Sequence, residues 1–421
     1  MKTLFINESL IAGGIETFMV RLAANNISNQ TKINFLLLKR NYDTELYQQL
    51  CQYSNVYFWD DFVYFPKYIT NKLPSVLKML LPVKKRKLIN EILIDLNHIH
   101  VPDTNALFFL SRFSNVKKNM KLSFSLGIYH INEYNILKYK KVYFIRKLIN
   151  FIKSVESKNF LFFNEISRDT YSELYKLNNN ESYLAPIGIE LKNNNNNCVG
   201  KKNVRIVSVG RLSPWKTYNY HMIEVINNWK SEEYKIYYEN YGDGVERDNL
   251  ERKVKDLNLE ERIKFYPSIK YSDFSKTISD SLLFIGAGTA LIEASAEGIP
   301  ALIGIENHDK SDPRTYGFLH DFTTYSYQEK ELKYEMKDIA FYIFKLLNMT
   351  TDQYEAECKL AKKRAHDFGI NKTVKVFNEM VLESKNLVKG FTYFELFRIF
   401  LSMFAYRLLN WNKPNNFFKR L

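Results

Sequence analysis

Arg211 and Lys216 stand five positions apart in "VSVGRLSPWKTYN" (207–219), just past an apolar run and a glycine. In "FIGAGTALIEASAEGIP" (284–300), another apolar run meets Gly286-Ala287-Gly288-Thr289, and Glu293 follows one helical turn later. Two cations at a strand end suit a doubly charged anion. Small residues where a helix opens let a ligand reach the first N–H groups and the positive end of the helix dipole. Gly288, Thr289 and Ala290 would supply those groups. A carboxylate beside an anion site has hydroxyls to read, so Glu293 adds a sugar. Phosphate together with sugar hydroxyl describes a nucleotide.

Two further glycine turns extend the pattern. Gly13 and Gly14 lie in "IAGGIETFMVRLA" (11–23) and Gly242 in "YGDGVERDNLERKV" (241–254). One such turn means little, because glycine ends strands everywhere. Four turns at strand ends, two of them carrying charge, mean more. Histidine brings the other candidates. His98 and His100 alternate in "LNHIHVPDTN", and His130 follows an apolar run in "GIYHINEYN" with Asn132 and Glu133 behind it. A histidine at a strand end serves either as a proton-transfer group near a hydroxyl or as a satisfied core residue. Cys51, Cys198 and Cys358 are far apart, and neither an Asp-x-Asp pair nor a His/Cys/Asp cluster has ligand spacing, so no metal is expected.

These residues need a scaffold that brings strand ends together. "KTLFIN", "INFLLL", "KLSFSLGIY" and "NFLFFN" alternate with helical patterns in the first half; "VRIVSVG", "YKIYYENYG", "RIKFYP", "SLLFIG" and "IPALIGI" do so in the second. Unbroken apolar strands between helices predict parallel sheets covered on both faces. The chain of 421 residues is long for one core. The asparagine-rich run 191–203 reads as a linker. The expectation is an α/β protein of two Rossmann-like, doubly wound domains facing across a cleft, 1–190 and 204–388, with a basic amphipathic tail at 389–421.

The ordered motifs resemble the GT-B-fold glycosyltransferases of family 4, retaining enzymes that use nucleotide-sugars. "GRLSPWK" looks like the family's Gly-Arg-Leu…Lys segment. "GDGVERDNLERKVKDLNLEERIKFYP" resembles its nucleotide-contacting loop and the strand after it. "GTALIEASAEGIPALI" is similar to its donor-binding acidic helix, and "SYLAPIGIE" to the segment entering the linker. The resemblance runs from Met1 to about Lys385. It implies that Arg211 and Lys216 hold the donor diphosphate and stabilise the leaving nucleotide. Glu293 would accept from the ribose, and Gly13, Gly14 and Gly242 would let backbone approach the donor. His130 would sit near the sugar and acceptor, with His100 and Glu133 as further acceptor candidates; 1–190 would bind the acceptor and 204–388 the nucleotide-sugar. The implied donor is a UDP- or GDP-sugar, without metal or other cofactor. The family's first glutamate, eight positions before the second, falls on Ile285, which puts the contact to the transferred sugar in question.

Charge and apolar pattern suggest where such an enzyme works. Of the net charge of +14, residues 1–198 hold +10 (26 Lys/Arg, 16 Asp/Glu) and 391–421 hold +4 (five and one), leaving the middle neutral. The segments 62–90 and 136–154 are basic and aromatic. In the tail, Phe394, Phe397, Leu401, Phe404 and Leu408 recur at three and four. Basic aromatic segments suit an anionic membrane surface, and a lipid-linked acceptor would give the docking a purpose. No apolar run approaches the roughly 18 residues of a span, and the N-terminal run is too short for a signal peptide. The expected location is cytoplasmic, peripheral on the inner membrane. No nucleic-acid module is legible, so that partner is not expected. Bacterial O-antigen or capsule assembly is the setting the resemblance implies. The rivals are an epimerase or phosphorylase of the same fold, and a non-catalytic scaffold subunit whose support is the missing acid at Ile285.

Overall fold

The computed structural model describes residues 2–11, 13–26, 32–116, 122–131, 133–191, 204–322, 334–385 and 390–409. They form two compact units: Met1–Gly188 with Ile370–Leu421, and Ile189–Gly369.

In the first unit the apolar runs form parallel strands β1 (Lys2–Asn7), β2 (Lys32–Leu37), β3 (Val56–Phe58), β4 (Leu96–Val101), β5 (Ser123–Ile128), β6 (Phe160–Phe162) and β7 (Tyr183–Leu184). Their order is β3-β2-β1-β4-β5-β6-β7. The order reverses between β1 and β4, where Phe5 lies opposite His100. A doubly wound sheet binds ligands outside the C-terminal strand ends at such a switch point. Leu4 and Ile6 are buried on one face of β1 and Phe5 on the other. That double burial is why β1 is largely apolar instead of alternating.

The second unit repeats the plan. Strands β8 (Arg205–Val209), β9 (Tyr237–Tyr241), β10 (Ile263–Tyr266), β11 (Leu283–Gly286) and β12 (Ala301–Ile303) form a parallel sheet in the order β10-β9-β8-β11-β12. Its switch point lies between β8 and β11, where Phe284 is opposite Val207.

Two boundaries differ from the sequence reading. The chain changes units at Gly188/Ile189, ahead of the asparagine run; residues 192–203 of the expected linker lie outside the described residues. It also returns at Gly369/Ile370, so helix Ile370–Glu383 belongs to the first unit and not to a 204–388 domain. The cause is an apolar stripe of Ile370, Val374, Phe377 and Val381, buried in that unit. Thr373 Oγ1 donates to the Pro186 carbonyl at 2.8 Å, and the Phe377 ring packs 5.2 Å from His100.

The amphipathic tail belongs to the first unit as well. Helix Tyr393–Leu409 is docked, with Leu396, Ile399 and Met403 buried in the first unit's core. Lys147 pairs with Glu395 at 2.6 Å, and the Tyr393 hydroxyl donates to the Leu80 carbonyl at 2.7 Å. No described helix is long and apolar enough to cross a membrane.

Candidate functional site

In the second unit, the loops after β8 and β9 are stacked backbone on backbone. Gly210 N–H donates to Tyr241 O at 3.0 Å, and Leu212 N–H to Asp243 O at 2.9 Å. A methyl group on Gly242 would overlap the Gly210 carbonyl, and one on Gly244 the Leu212 carbonyl. Gly244 also has φ +156°, a region that side chains disfavour. Glycine is therefore required here by the approach of two main chains.

The cations sit on this platform. Gly210 has φ +151°, and a Cβ there would come 2.8 Å from Lys216 Nζ, so the absence of a side chain leaves the ammonium room over the strand end. Lys216 is pushed below the usual lysine range, chiefly by burial and further by Arg211, with Glu306 opposing. Arg211 is exposed and makes no ion pair or side-chain hydrogen bond among the described residues. Lys216 is thus enclosed by its surroundings, while Arg211 is exposed at the same strand end.

At the end of β11, Gly288 caps helix Thr289–Ala296 with φ +74° and offers no side-chain acceptor. Thr289 and Ala290, half-buried, open the helix at the point where N–H groups precede any intrahelical acceptor. Glu293, one turn on, is half-buried between buried Leu291, Ile292 and Ala294, and accepts from the Tyr271 hydroxyl at 3.3 Å. Ile285 is wholly buried in β11, opposite Leu302. A glutamate at that position would have to enter the hydrophobic core. Arg211, Lys216, Gly242, Gly288, Thr289, Ala290 and Glu293 thus lie on the C-terminal edge of one sheet.

In the first unit Gly13 and Gly14 lie between β1 and helix Gly14–Asn25. Neither is forced by strain. Gly13 is extended, and its nearest neighbour would be the flexible end of Glu16; Gly14 faces open space. His130 is exposed at the end of β5. Its loop is anchored by Glu133, which accepts from Thr104 N–H at 2.9 Å and Thr104 Oγ1 at 2.8 Å. Glu133 is therefore occupied at the start of helix Thr104–Val116, and its role is to hold the His130 loop. Asn132 lies outside the described residues.

His100 is corrected outright. It is fully buried, hydrogen-bonded through Nδ1 to Ser125 Oγ at 2.8 Å and through Nε2 to Tyr129 OH at 3.1 Å. His98 continues the chain to Ser125 and Ser123, both at 2.8 Å. Burial holds His100 well below its ordinary pKa and His98 at about 3. These are satisfied core histidines, and His100 touches no acceptor.

Sequence reasoning passed over two carboxylates on this edge. Asp103 follows β4 and Glu8 follows β1. Glu8 accepts from Ser75 Oγ at 2.7 Å and Asn105 Nδ2 at 3.0 Å and pairs with Lys39. Asp103 accepts from Ala106 N–H at 2.8 Å. Its pKa is raised to about 7, first by burial and then by Glu133 and Glu8. The available signal was an acid just past a run of alternating apolar residues, as in "HIHVPD".

Residues 191–305 match the family model of glycosyl transferases group 1. Among solved structures, HepE of Anabaena in complex with UDP and glucose aligns at a TM-score of 0.63 and 17% identity, over 91% of this chain and 99% of that one. A glycosyltransferase from Rickettsia africae aligns at 0.59 and 14%, over 91% and 98%. TarM of S. aureus, as a variant in complex with fondaparinux, alpha-GlcNAc-glycerol and UDP, aligns at 0.60 and 12%, over 90% and 99%. No curated protein matches the chain in sequence. At these identities the structural likeness speaks for the fold, which is GT-B. The glycosyl transferases group 1 match is confined to the segment that carries the cation platform and the Gly288 helix.

Proposed function

We propose that the chain is a retaining glycosyltransferase of the family 4 type. It moves a hexosyl group from a UDP- or GDP-sugar to a glycan or lipid-linked oligosaccharide in bacterial surface polysaccharide assembly (O-antigen or capsule), as a peripheral protein on the cytoplasmic face of the inner membrane. The observation that carries this reading is the pairing of Arg211 and Lys216 on the Gly210/Gly242 platform, on the same sheet edge as the Gly288 helix terminus and Glu293.

In the proposed reaction the bond between the sugar's anomeric carbon and the donor's β-phosphate oxygen breaks. A bond to the acceptor oxygen forms on the same face. Negative charge grows on the departing diphosphate, where preorganised cations stabilise it most. Arg211 and Lys216 fill that role, with the N–H groups of Thr289 and Ala290 supplementing them. Glu293 accepts from the ribose hydroxyls. His130 hydrogen-bonds an acceptor hydroxyl and assists its proton's departure, the loop being held by Glu133. Gly13 and Gly14 leave backbone open to a sugar phosphate, Gly14 facing open space and Gly13 only the flexible end of Glu16.

Calorimetric titration of UDP, GDP, CMP and ADP into the protein and Glu293→Ala tests the reading. Binding of one nucleoside diphosphate, weakened about 10-fold or more by the loss of a charged hydrogen bond, is expected. If none of the four binds, the reading is withdrawn. A non-catalytic subunit is the second reading, supported by Ile285 in place of an acid; nucleotide binding without donor turnover would favour it.

A further inference from the structure

Helix Tyr393–Leu409 is apolar on two sides. Leu396, Ile399 and Met403 face the first unit's core, and the stripe of Phe394, Phe397, Leu401, Phe404 and Leu408 faces outward. Phe394 is 68% exposed and Leu408 60%. A helix of this length presents the stripe over about 25 Å. Outward aromatic and leucine side chains in a continuous row are costly to leave in water and mark an interaction surface.

The stripe does not end with the helix. At its start, the Tyr393 hydroxyl bonds to Leu80 O, and the Arg112 guanidinium bonds to Leu81 O and lies over the Tyr393 ring. The next residue, Pro82, accepts from Tyr64 N–H at 3.2 Å, which brings the exposed Tyr64, Phe65 and Tyr68 alongside. Tyr68 is 72% exposed. Segments some 300 residues apart in sequence are thus tied together through the Leu80–Pro82 backbone, each with exposed apolar side chains.

Its surroundings are cationic. Residues 62–90 contain seven Lys/Arg and 136–154 six, with no acid in either. Lys72, Lys85 and Arg86 are exposed near one end; Lys138, Lys140 and Lys141 are exposed near the other, where Tyr406 packs on Phe144. The neighbouring acids are already paired: Asp61 with Arg40 and Lys67, Glu91 with Lys87, and Glu395 with Lys147. The net excess of positive charge is thus left to an outside partner. An apolar stripe rich in aromatic rings, bordered by exposed cations that pair with no acid among the described residues, is complementary to a bilayer interface with anionic headgroups. A second copy of the chain would bring the same positive charge against itself.

We propose that this surface, the outer face of helix Tyr393–Leu409 together with Tyr64, Phe65 and Tyr68, docks the first unit on an anionic lipid bilayer. The proposal rests on the reading of the acceptor as membrane-borne, and it names the surface that brings the protein there.

The test is sedimentation of the full-length protein with phosphatidylcholine vesicles and with vesicles of equal phosphatidylcholine and phosphatidylglycerol. Binding at least 10-fold stronger to the anionic vesicles is expected, falling as salt is raised. The double variant Phe397→Glu, Leu401→Glu should lose at least 10-fold of it while keeping its melting temperature. Should that variant unfold, Tyr68→Glu in the other segment must show a loss of several-fold. No binding to anionic vesicles, or binding that neither variant weakens, overturns the proposal. So does a dimer that the double variant splits in a protein that ignores vesicles. UDP and GDP titration of the same samples keeps the two readings apart. Vesicle binding without nucleotide binding sinks the transferase and leaves the surface; nucleotide binding without vesicle binding does the reverse.

Discussion

The two sheets share one winding order around their switch points, yet their C-terminal edges carry opposite chemistry. After β8, β9 and β11 the second unit places Arg211, Lys216, three close backbone turns and a helix N-terminus. After β1, β4 and β5 the first unit places Glu8, Asp103, His130 and Glu133. One edge suits an anion and the other a group that offers hydroxyls. The parallel sheet determines where loops are delivered, and the loop residues alone determine what is recognised there. The glycines differ in the same way. Gly242 and Gly244 on the second unit's edge are demanded by contact, whereas Gly14 on the first unit's edge stands in open space.

The largest predicted effect contrasts those glycines. Gly242→Ala drives a methyl group into the Gly210 carbonyl, which backbone cannot yield cheaply, and should destabilise the protein by about 3 kcal/mol. Gly14→Ala meets nothing within 4 Å and should be neutral, or stabilising by about 0.5 kcal/mol. Urea unfolding of both variants checks the pair. Equal losses would erase the distinction.

Next comes the cation held on the platform. Lys216→Ala should weaken nucleoside diphosphate binding by roughly 10- to 100-fold at unchanged fold stability, as deletion of a charged partner does. Calorimetry with the nucleotide that the wild type prefers measures it. An unchanged affinity would remove Lys216 from the site.

The smallest effect sharpens the acidic edge. An acid with a pKa raised to about 7 keeps its proton when folded and loses it on unfolding between about pH 4 and 7. Its contribution to stability is present below about pH 4 and is lost as pH rises through 7. Asp103→Asn should therefore flatten the decline over that range and melt higher than wild type at pH 8. Buried His98 acts with the opposite sign. It stays neutral when folded down to about pH 3, so its share of stability is lost as pH falls from the ordinary histidine value toward 3. The difference between Asp103→Asn and wild type isolates the carboxyl from the histidines. Parallel melting curves from pH 4 to 8 would contradict the assignment.

Much of the scaffold was legible because the strands are buried on both faces and therefore apolar throughout, and because glycine marks the turns that end them. Strand β4 was not among the expected runs: "LNHIHV" carries Asn97, His98 and His100. What keeps those histidines inside is Ser123 and Ser125, one strand over. That pairing exists only across the sheet and has no trace in linear spacing. The return of helix Ile370–Glu383 to the first unit was hidden for a similar reason. An apolar stripe says that a helix face is buried but not by which core. Helix Tyr393–Leu409 carries two apolar faces, and only packing distinguishes Leu396, Ile399 and Met403 from the outward stripe. The chemistry of Arg211, Lys216 and Glu293 was easier to read, since local sequence places all three at strand ends and helix starts.

The most direct test of the contrast between the edges is amide hydrogen exchange of the full-length protein with and without saturating UDP or GDP. The predicted result is slower exchange in the 209–217, 242–246 and 286–293 segments of the second unit, with no slowing around Glu8, Asp103 and Glu133. Protection centred on that acidic edge, with the second unit's loops unchanged, would contradict the account.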